Sequence, residues 1–103
     1  MIRHLVSVKF KDDVSKEAKQ SIVADLDGMK PRLGGIIDFH AGPNVCVEQG
    51  MDKGFLDAFW IDFGGAQARD AYLLDDEHQA IGGRIVSSTV GGTDGVIVVD
   101  IEI

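Results

Sequence analysis

The chain has 103 residues, which is enough for one hydrophobic core and too short for two. A composition of 45% hydrophobic and 26% charged residues is typical of a globular protein and excludes a disordered one. A formal net charge of −7 disfavours nucleic acid and anionic membranes as partners, because both repel an acidic protein. The single cysteine excludes an internal disulfide, and no apolar run reaches the roughly 18 residues of a membrane span. We therefore expect a cytoplasmic protein of one domain, residues 1–103.

The first third of the chain predicts a strand followed by a helix. Side chains alternate over residues 2–10, the pattern of a strand with one buried face. Ser15 is a candidate N-cap, and apolar residues then recur at helical spacing as far as Leu33. Pro31 removes a backbone donor, so we expect the helix to fray or end close to it.

Two further strands are predicted in the middle of the chain. Residues 37–41 alternate, with Ile37, Phe39 and Ala41 on one face, and Gly42-Pro43 ends the run. Residues 55–63 predict a strand that has apolar side chains on both faces.

The last part of the chain predicts helices and a closing strand. One helix is expected from Ala66 to Leu74 and a second over roughly residues 77–88, despite Gly82-Gly83. Residues 96–103 are rich in β-branched side chains and predict a strand.

The order β-α-β-β-α-β predicts an α+β, ferredoxin-like fold in which the helices cover one face of an antiparallel sheet. The other face is expected to carry Leu56, Ala58, Trp60, Val96 and Val98. An apolar patch of that kind is rarely left exposed in a monomer. We therefore predict a homodimer in which the two open sheet faces pack together.

Several segments resemble the stress-responsive A/B-barrel (Dabb) family over nearly the whole chain: residues 1–11 (MIRHLVSVKFK), Gly42-Pro43-Asn44, Ala71-Tyr72 to His78-Gln79-Ala80, and the closing VVDIEI. The resemblance implies a dimeric α+β barrel. A family member, the plant olivetolic acid cyclase, is a cofactor-free polyketide cyclase that uses a tyrosine and a histidine. Tyr72 and His78 match that pair, and His4 matches a further histidine near the pocket. Asp57 stands where this relative has a histidine on its third strand.

The residues themselves also single out His4 and Asp57, which lie in the more apolar register of their strands. A buried carboxylate needs a partner, and a neighbouring imidazole can supply it. We therefore predict that Asp57 approaches His4 across the sheet, that His78 acts as a base, and that Tyr72 donates its hydroxyl to a developing oxyanion.

Each of these residues also has a purely structural alternative. His4 could bond a carbonyl, Asp57 could reach solvent at a strand edge, Tyr72 could pack with its ring, and His78 could be solvated. No spacing such as His-x-His or HExxH preorganises a metal site, and no glycine motif cradles a phosphate, so we expect neither metal nor cofactor.

Three functions remain open from the sequence. The chain could bind a small apolar or carbonyl-containing molecule between helices and sheet, or it could be a cofactor-independent cyclase, lyase or isomerase acting on a carbonyl compound. It could also be a structural dimer with a filled core. A cavity of about 300 Å³ or more around the four residues would favour the first two.

Overall fold

The computed structural model describes residues 1–103. Its elements are β1 (Ile2–Val8), α1 (Lys16–Asp27), β2 (Ile36–Pro43), β3 (Asp57–Phe63), α2 (Ala66–Leu74), α3 (Asp76–Ser87) and β4 (Val96–Glu102). The strands form one antiparallel sheet in the order β2-β3-β1-β4, and the helices lie on one side of it. The predicted ferredoxin-like α+β fold is confirmed. No helix is long and apolar enough to cross a membrane.

The core forms where the central strand β1 meets the helices. Every second residue of β1 is buried, namely Ile2, His4, Val6 and Val8. Its neighbours on β3 supply Phe59, Ile61 and Phe63 to the same side of the sheet. The alternation read from residues 2–10 therefore does bury one face of the strand, and His4 is buried with it.

Helix α1 begins as predicted but ends early. The Ser15 hydroxyl accepts a hydrogen bond from the amide of Ala18 at 3.0 Å, which caps the first turn. The helix ends at Asp27, and the apolar periodicity as far as Leu33 continues through turns instead. Pro31 explains this, because it lacks an amide hydrogen and its ring disfavours a helical conformation at the preceding residue.

A β-bulge shifts the predicted register of β2. The pairing with β3 slips between Ile36 and Asp38, so the strand carries one extra residue there. Ile36 and Phe39 pack against the core, whereas Ile37 is 52% exposed. The expectation that Ile37 shares a face with Phe39 is wrong for this reason.

The start of β2 also lies unusually close to α2. Gly35 has a φ of +87°, and a Cβ built there would lie 2.5 Å from the Cβ of Ala68. Only glycine combines that backbone conformation with so close an approach.

The sheet register corrects the predicted composition of the uncovered face. Val96 and Val98 pair with Val8 and Val6, whose side chains are buried under the helices, so both valines lie on the helix side. The uncovered side, here named the open face, carries Arg3, Leu5, Ser7, Asp38, His40, Ala58, Trp60, Asp62, Ile97, Val99 and Ile101. It remains an exposed apolar surface at β4, since Ile97, Val99 and Ile101 are each more than 40% exposed.

Candidate ligand site

A cavity of about 240 Å³ lies between β1, β4 and the two C-terminal helices. Most of its lining is apolar, with Val6, Leu26, Phe59 and Ile85 among the residues that contribute. Its polar groups are His4, Tyr72, His78 and Asp100. We call this space the histidine cavity. Its volume lies slightly below the 300 Å³ expected for a ligand site, so a molecule that fits it entirely must be small.

The break between α2 and α3 brings Tyr72 and His78 together. Tyr72 is in the last turn of α2, His78 is in the first turn of α3, and their ring centroids are 4.0 Å apart. Asp75 lies at the break in an extended conformation, and its carboxylate accepts a hydrogen bond from the amide of His78 at 3.1 Å. Asp75 thereby caps α3 and fixes the first turn from which the His78 side chain projects.

Arg32 holds this capping residue in place. Its guanidinium donates two hydrogen bonds to the Asp75 carboxylate, at 3.0 and 2.7 Å. These bonds are the main reason why the pKa of Asp75 falls to about 2. The capping group of α3 therefore stays charged at any ordinary pH.

His4 is held by Asp100 on the neighbouring strand. The two residues are paired across β1 and β4, and His4 Nδ1 lies 2.6 Å from Asp100 Oδ1. Since a carboxylate can only accept, His4 donates from Nδ1 and keeps Nε2 for another partner. The other oxygen of Asp100 accepts a hydrogen bond from Arg69 at 2.9 Å. The imidazole is 5% exposed, so this pairing satisfies a buried polar group.

Burial in the cavity shifts the pKa values of two of its aromatic groups, His78 and Tyr72. Burial of the ring, and after it repulsion from His4, lower the pKa of His78, so its imidazole is neutral at pH 7. Burial raises the pKa of Tyr72 well above its usual value, so its hydroxyl keeps its proton. His78 Nδ1 is buried without a hydrogen-bond partner. The site thus joins a neutral imidazole to a protonated phenol.

The predicted pairing of Asp57 with His4 is wrong. Asp57 lies opposite Val8, at the other end of β1, because antiparallel pairing sets the start of β3 against the end of β1. Its carboxylate instead accepts a hydrogen bond from Lys19 at 3.1 Å and lines a different cavity. The structure therefore brings together His4, Tyr72 and His78 but not Asp57. Asp100 takes the position at His4 that sequence reasoning gave to Asp57.

Sequence reasoning missed Asp100, because the face of the sheet on which a β4 side chain lies can be assigned only from the pairing of β4 with its neighbouring strand. The one signal in the sequence is that it interrupts a β-branched strand with a charge.

No group of three or more His, Cys, Asp or Glu side chains is arranged to hold a metal ion. His40 lies on the open face, stacked on Trp60 at a centroid distance of 4.9 Å, and Cys46 is exposed in the loop that follows.

The ion pair of Asp100 should make stability depend on pH. Burial alone would raise the pKa of Asp100, but hydrogen bonds from His4 and Arg69 lower it below the ordinary 3.8. A carboxyl with a lowered folded-state pKa stabilises the protein above its unfolded pKa and loses that contribution as the pH falls through the folded pKa. In acid titrations followed by urea unfolding, we expect Asp100→Asn to lose less stability than wild type below about pH 4. Equal slopes of the free energy of unfolding against pH for the two proteins, below about pH 4, would contradict this role.

The comparisons with known proteins agree with the geometry. The model of the stress responsive A/B barrel domain (Dabb) matches residues 2–103. The chain belongs to this family. The family resemblance read from the sequence is thereby confirmed, while no curated protein matches this A/B barrel domain.

Solved structures share its fold. A dimeric ferredoxin-like protein of unknown function from Jannaschia sp. CCS1 is 34% identical, with a TM-score of 0.91 over 99% of this chain and 98% of that one. A protein from Arabidopsis thaliana is 22% identical, with a TM-score of 0.86 over 100% and 95% of the two chains. The hydroxynitrile lyase from Passiflora edulis is 14% identical, with a TM-score of 0.82 over 99% and 92%. The last two show that the fold is shared and nothing further.

Proposed function

We propose that this A/B barrel domain binds a small, largely apolar molecule with a carbonyl oxygen in the histidine cavity. The observation that carries the proposal is the convergence of Tyr72, His78 and His4 on one apolar cavity. Apolar walls with a few placed polar groups are the usual construction of a small-molecule site. The phenol of Tyr72 can donate to a carbonyl oxygen, and the walls accept a short aliphatic or aromatic group.

We further propose that the protein works as a homodimer through the open face. The apolar side chains of β4 are exposed there, and the related protein from Jannaschia is described as dimeric. Charged groups on this face already have partners within the chain, since Arg3 bonds Asp62 at 2.9 and 3.1 Å and His40 bonds Asp38 at 2.9 Å. Burying them against a second copy therefore leaves no isolated charge. The helices lie on the opposite side, so the histidine cavity stays accessible in such a dimer.

A thermal-shift experiment tests ligand binding. Short methyl ketones and β-keto esters with aliphatic or aromatic chains are screened against wild type, His78→Ala and Leu74→Ala. A ligand at a hundred times its dissociation constant stabilises by about 2.7 kcal/mol, which should raise Tm by roughly 5 °C or more. We expect the shift in wild type and Leu74→Ala, because Leu74 is an exposed side chain next to the site. His78→Ala should lose it.

Two other outcomes would speak against the proposal. A compound that shifts His78→Ala as much as wild type binds elsewhere. If no compound of either class shifts the wild type, the cavity is a packing feature of a structural dimer.

A second candidate function is cofactor-independent proton transfer at a carbonyl compound, as in a cyclase, lyase or isomerase. The lowered pKa of His78 favours it, because a neutral imidazole can accept a proton while Tyr72 donates to the enolate oxygen. His4, fixed by Asp100, lies 5.9 Å from the Tyr72 ring and can orient that end of the substrate. A hydroxynitrile lyase has the same fold, although 14% identity carries the fold alone.

Incubation of the stabilising ketone with the protein in D2O separates the two functions. An enzyme should exchange the protons on the carbon next to the carbonyl, as followed by NMR, and His78→Gln should slow the exchange at least 100-fold. Exchange at the rate of the buffer in wild type would leave binding as the function.

A further inference from the structure

A second and larger cavity lies at the other end of the layer between helices and sheet. Its volume is about 370 Å³, within the usual range of roughly 300–1,000 Å³ for ligand pockets. It opens between the first turns of α1 and the adjoining ends of β2 and β3. Phe59 and Ile85 line both cavities and therefore form the wall between them. We call this space the lysine cavity.

The interior of the lysine cavity is apolar and its mouth is charged. Val8, Phe10, Ile22 and Val23 are among its apolar lining residues, while Lys16, Lys19, Gln20 and Asp57 supply its polar groups. The cavity is thus shaped for a molecule with an apolar body and one polar end.

Lys19 is fixed at the mouth from two sides. Its ammonium lies 3.1 Å from Asp57 Oδ2 and 5.2 Å from the centroid of the Phe10 ring. The side chains of Lys19 and Asp57 are both about one-third exposed, so they are partly withdrawn from solvent. Asp57, which the sequence suggested as a partner of His4, instead positions this lysine.

Lys16 leaves a positive charge without a partner at the same opening. It lies one helical turn before Lys19 and forms no ion pair, and Glu17 beside it does not line the cavity. Two lysines against one aspartate leave a surplus of one positive charge. In a chain of net charge −7, this surplus makes the mouth a local exception.

We propose that the lysine cavity is a binding site for a monocarboxylate with an unbranched apolar chain. The chain enters the apolar interior, and the carboxylate pairs with Lys16 and shares Lys19 with Asp57. One bound negative charge neutralises the surplus positive charge of Lys16, Lys19 and Asp57, which favours a monoanion over a dianion or a neutral molecule. This site does not depend on the function proposed for the histidine cavity.

Decanoate is the probe, and its binding is measured by calorimetry and by amide chemical shifts of the isotope-labelled protein. We expect Lys16→Glu to weaken binding roughly tenfold, because one attraction is lost and one repulsion is added. Lys30→Glu makes the same change of charge just beyond the far end of α1 and should leave binding unchanged. Added salt should weaken binding to the wild type.

A filling variant locates the probe. Val23→Phe narrows the apolar interior from α1 and should abolish binding, whereas His78→Ala in the other cavity should not affect it. If Val23→Phe fails to fold, Ala41→Leu fills the same space from β2, because Ala41 is paired with Phe59 and lies on the helix side of the sheet.

Three results would overturn the proposal. Loss of decanoate binding in His78→Ala, with Val23→Phe unaffected, places the ligand in the histidine cavity. Equal affinities for decanoate and 1-decanol mean that the lysines do not recognise the carboxylate. The proposal also fails if decanoate does not bind the wild-type protein at low salt.

Discussion

Val99→Glu is expected to run as a monomer in gel filtration with light scattering, where the wild-type chain runs as a dimer. Val99 lies at the centre of β4 on the open face, 43% exposed, next to Leu5 on β1. A carboxylate at this position would be buried without a partner, at a cost of about 3 kcal/mol or more. A two-fold interface contains the substitution twice, so we expect the dimer dissociation constant to rise at least about a thousandfold.

Val98→Glu is the matched control. Val98 is the preceding residue of the same strand, is 53% exposed, and lies on the helix side of the sheet at the histidine cavity. It should therefore remain dimeric. Dissociation of Val98→Glu with an intact Val99→Glu dimer would show that the copies associate through the helix side, and our assignment of the interface would be wrong.

Phe63→Ala is expected to lower the free energy of unfolding by about 3–5 kcal/mol, measured by urea denaturation at a fixed protomer concentration. Phe63 is completely buried. Its ring centroid lies 5.2 Å from that of Tyr72 and 6.1 Å from that of His4, so the ring packs against both groups. A loss of this size is a large part of the 5–15 kcal/mol typical of a domain.

Leu74→Ala serves as the control for that experiment, because Leu74 is 76% exposed and close to the same site. Its substitution should change the free energy of unfolding by less than about 0.5 kcal/mol. If Phe63→Ala costs no more than the control, the packing that positions Tyr72 and His4 is not what holds this region together.

Local patterns predicted the elements of the fold well wherever the cause was local. The alternation in β1, the Ser15 cap and the helix from Ala66 to Leu74 were all readable, because each depends on neighbours in the chain. The end of α1 at Asp27 was not readable from the periodicity, since the apolar pattern continues to Leu33 even though the helix does not. A periodic pattern reports which residues are buried, and turns can bury them as well as a helix can.

The candidate site divides in the same way. Tyr72 and His78 were predicted together from the family resemblance. The interruption of the helix at Asp75, which places their two rings in contact, depends only on residues near it in the chain. The partner of His4 depends on the pairing of β1 with β4, between residues 96 positions apart. A sequence contains no local signal for such a pairing.

The sequence by itself determined the order of strands and helices, the burial of His4 and the presence of a sheet face that the helices leave uncovered. Only the tertiary structure decided which residues occupy that face, that Asp100 rather than Asp57 pairs with His4, and that Asp57 and Lys19 belong to a second cavity. The physical reason is register. Periodicity follows from the backbone geometry of one element, whereas the opposition of two side chains follows from how separate elements align, and a shift of one residue reverses every side chain of a strand.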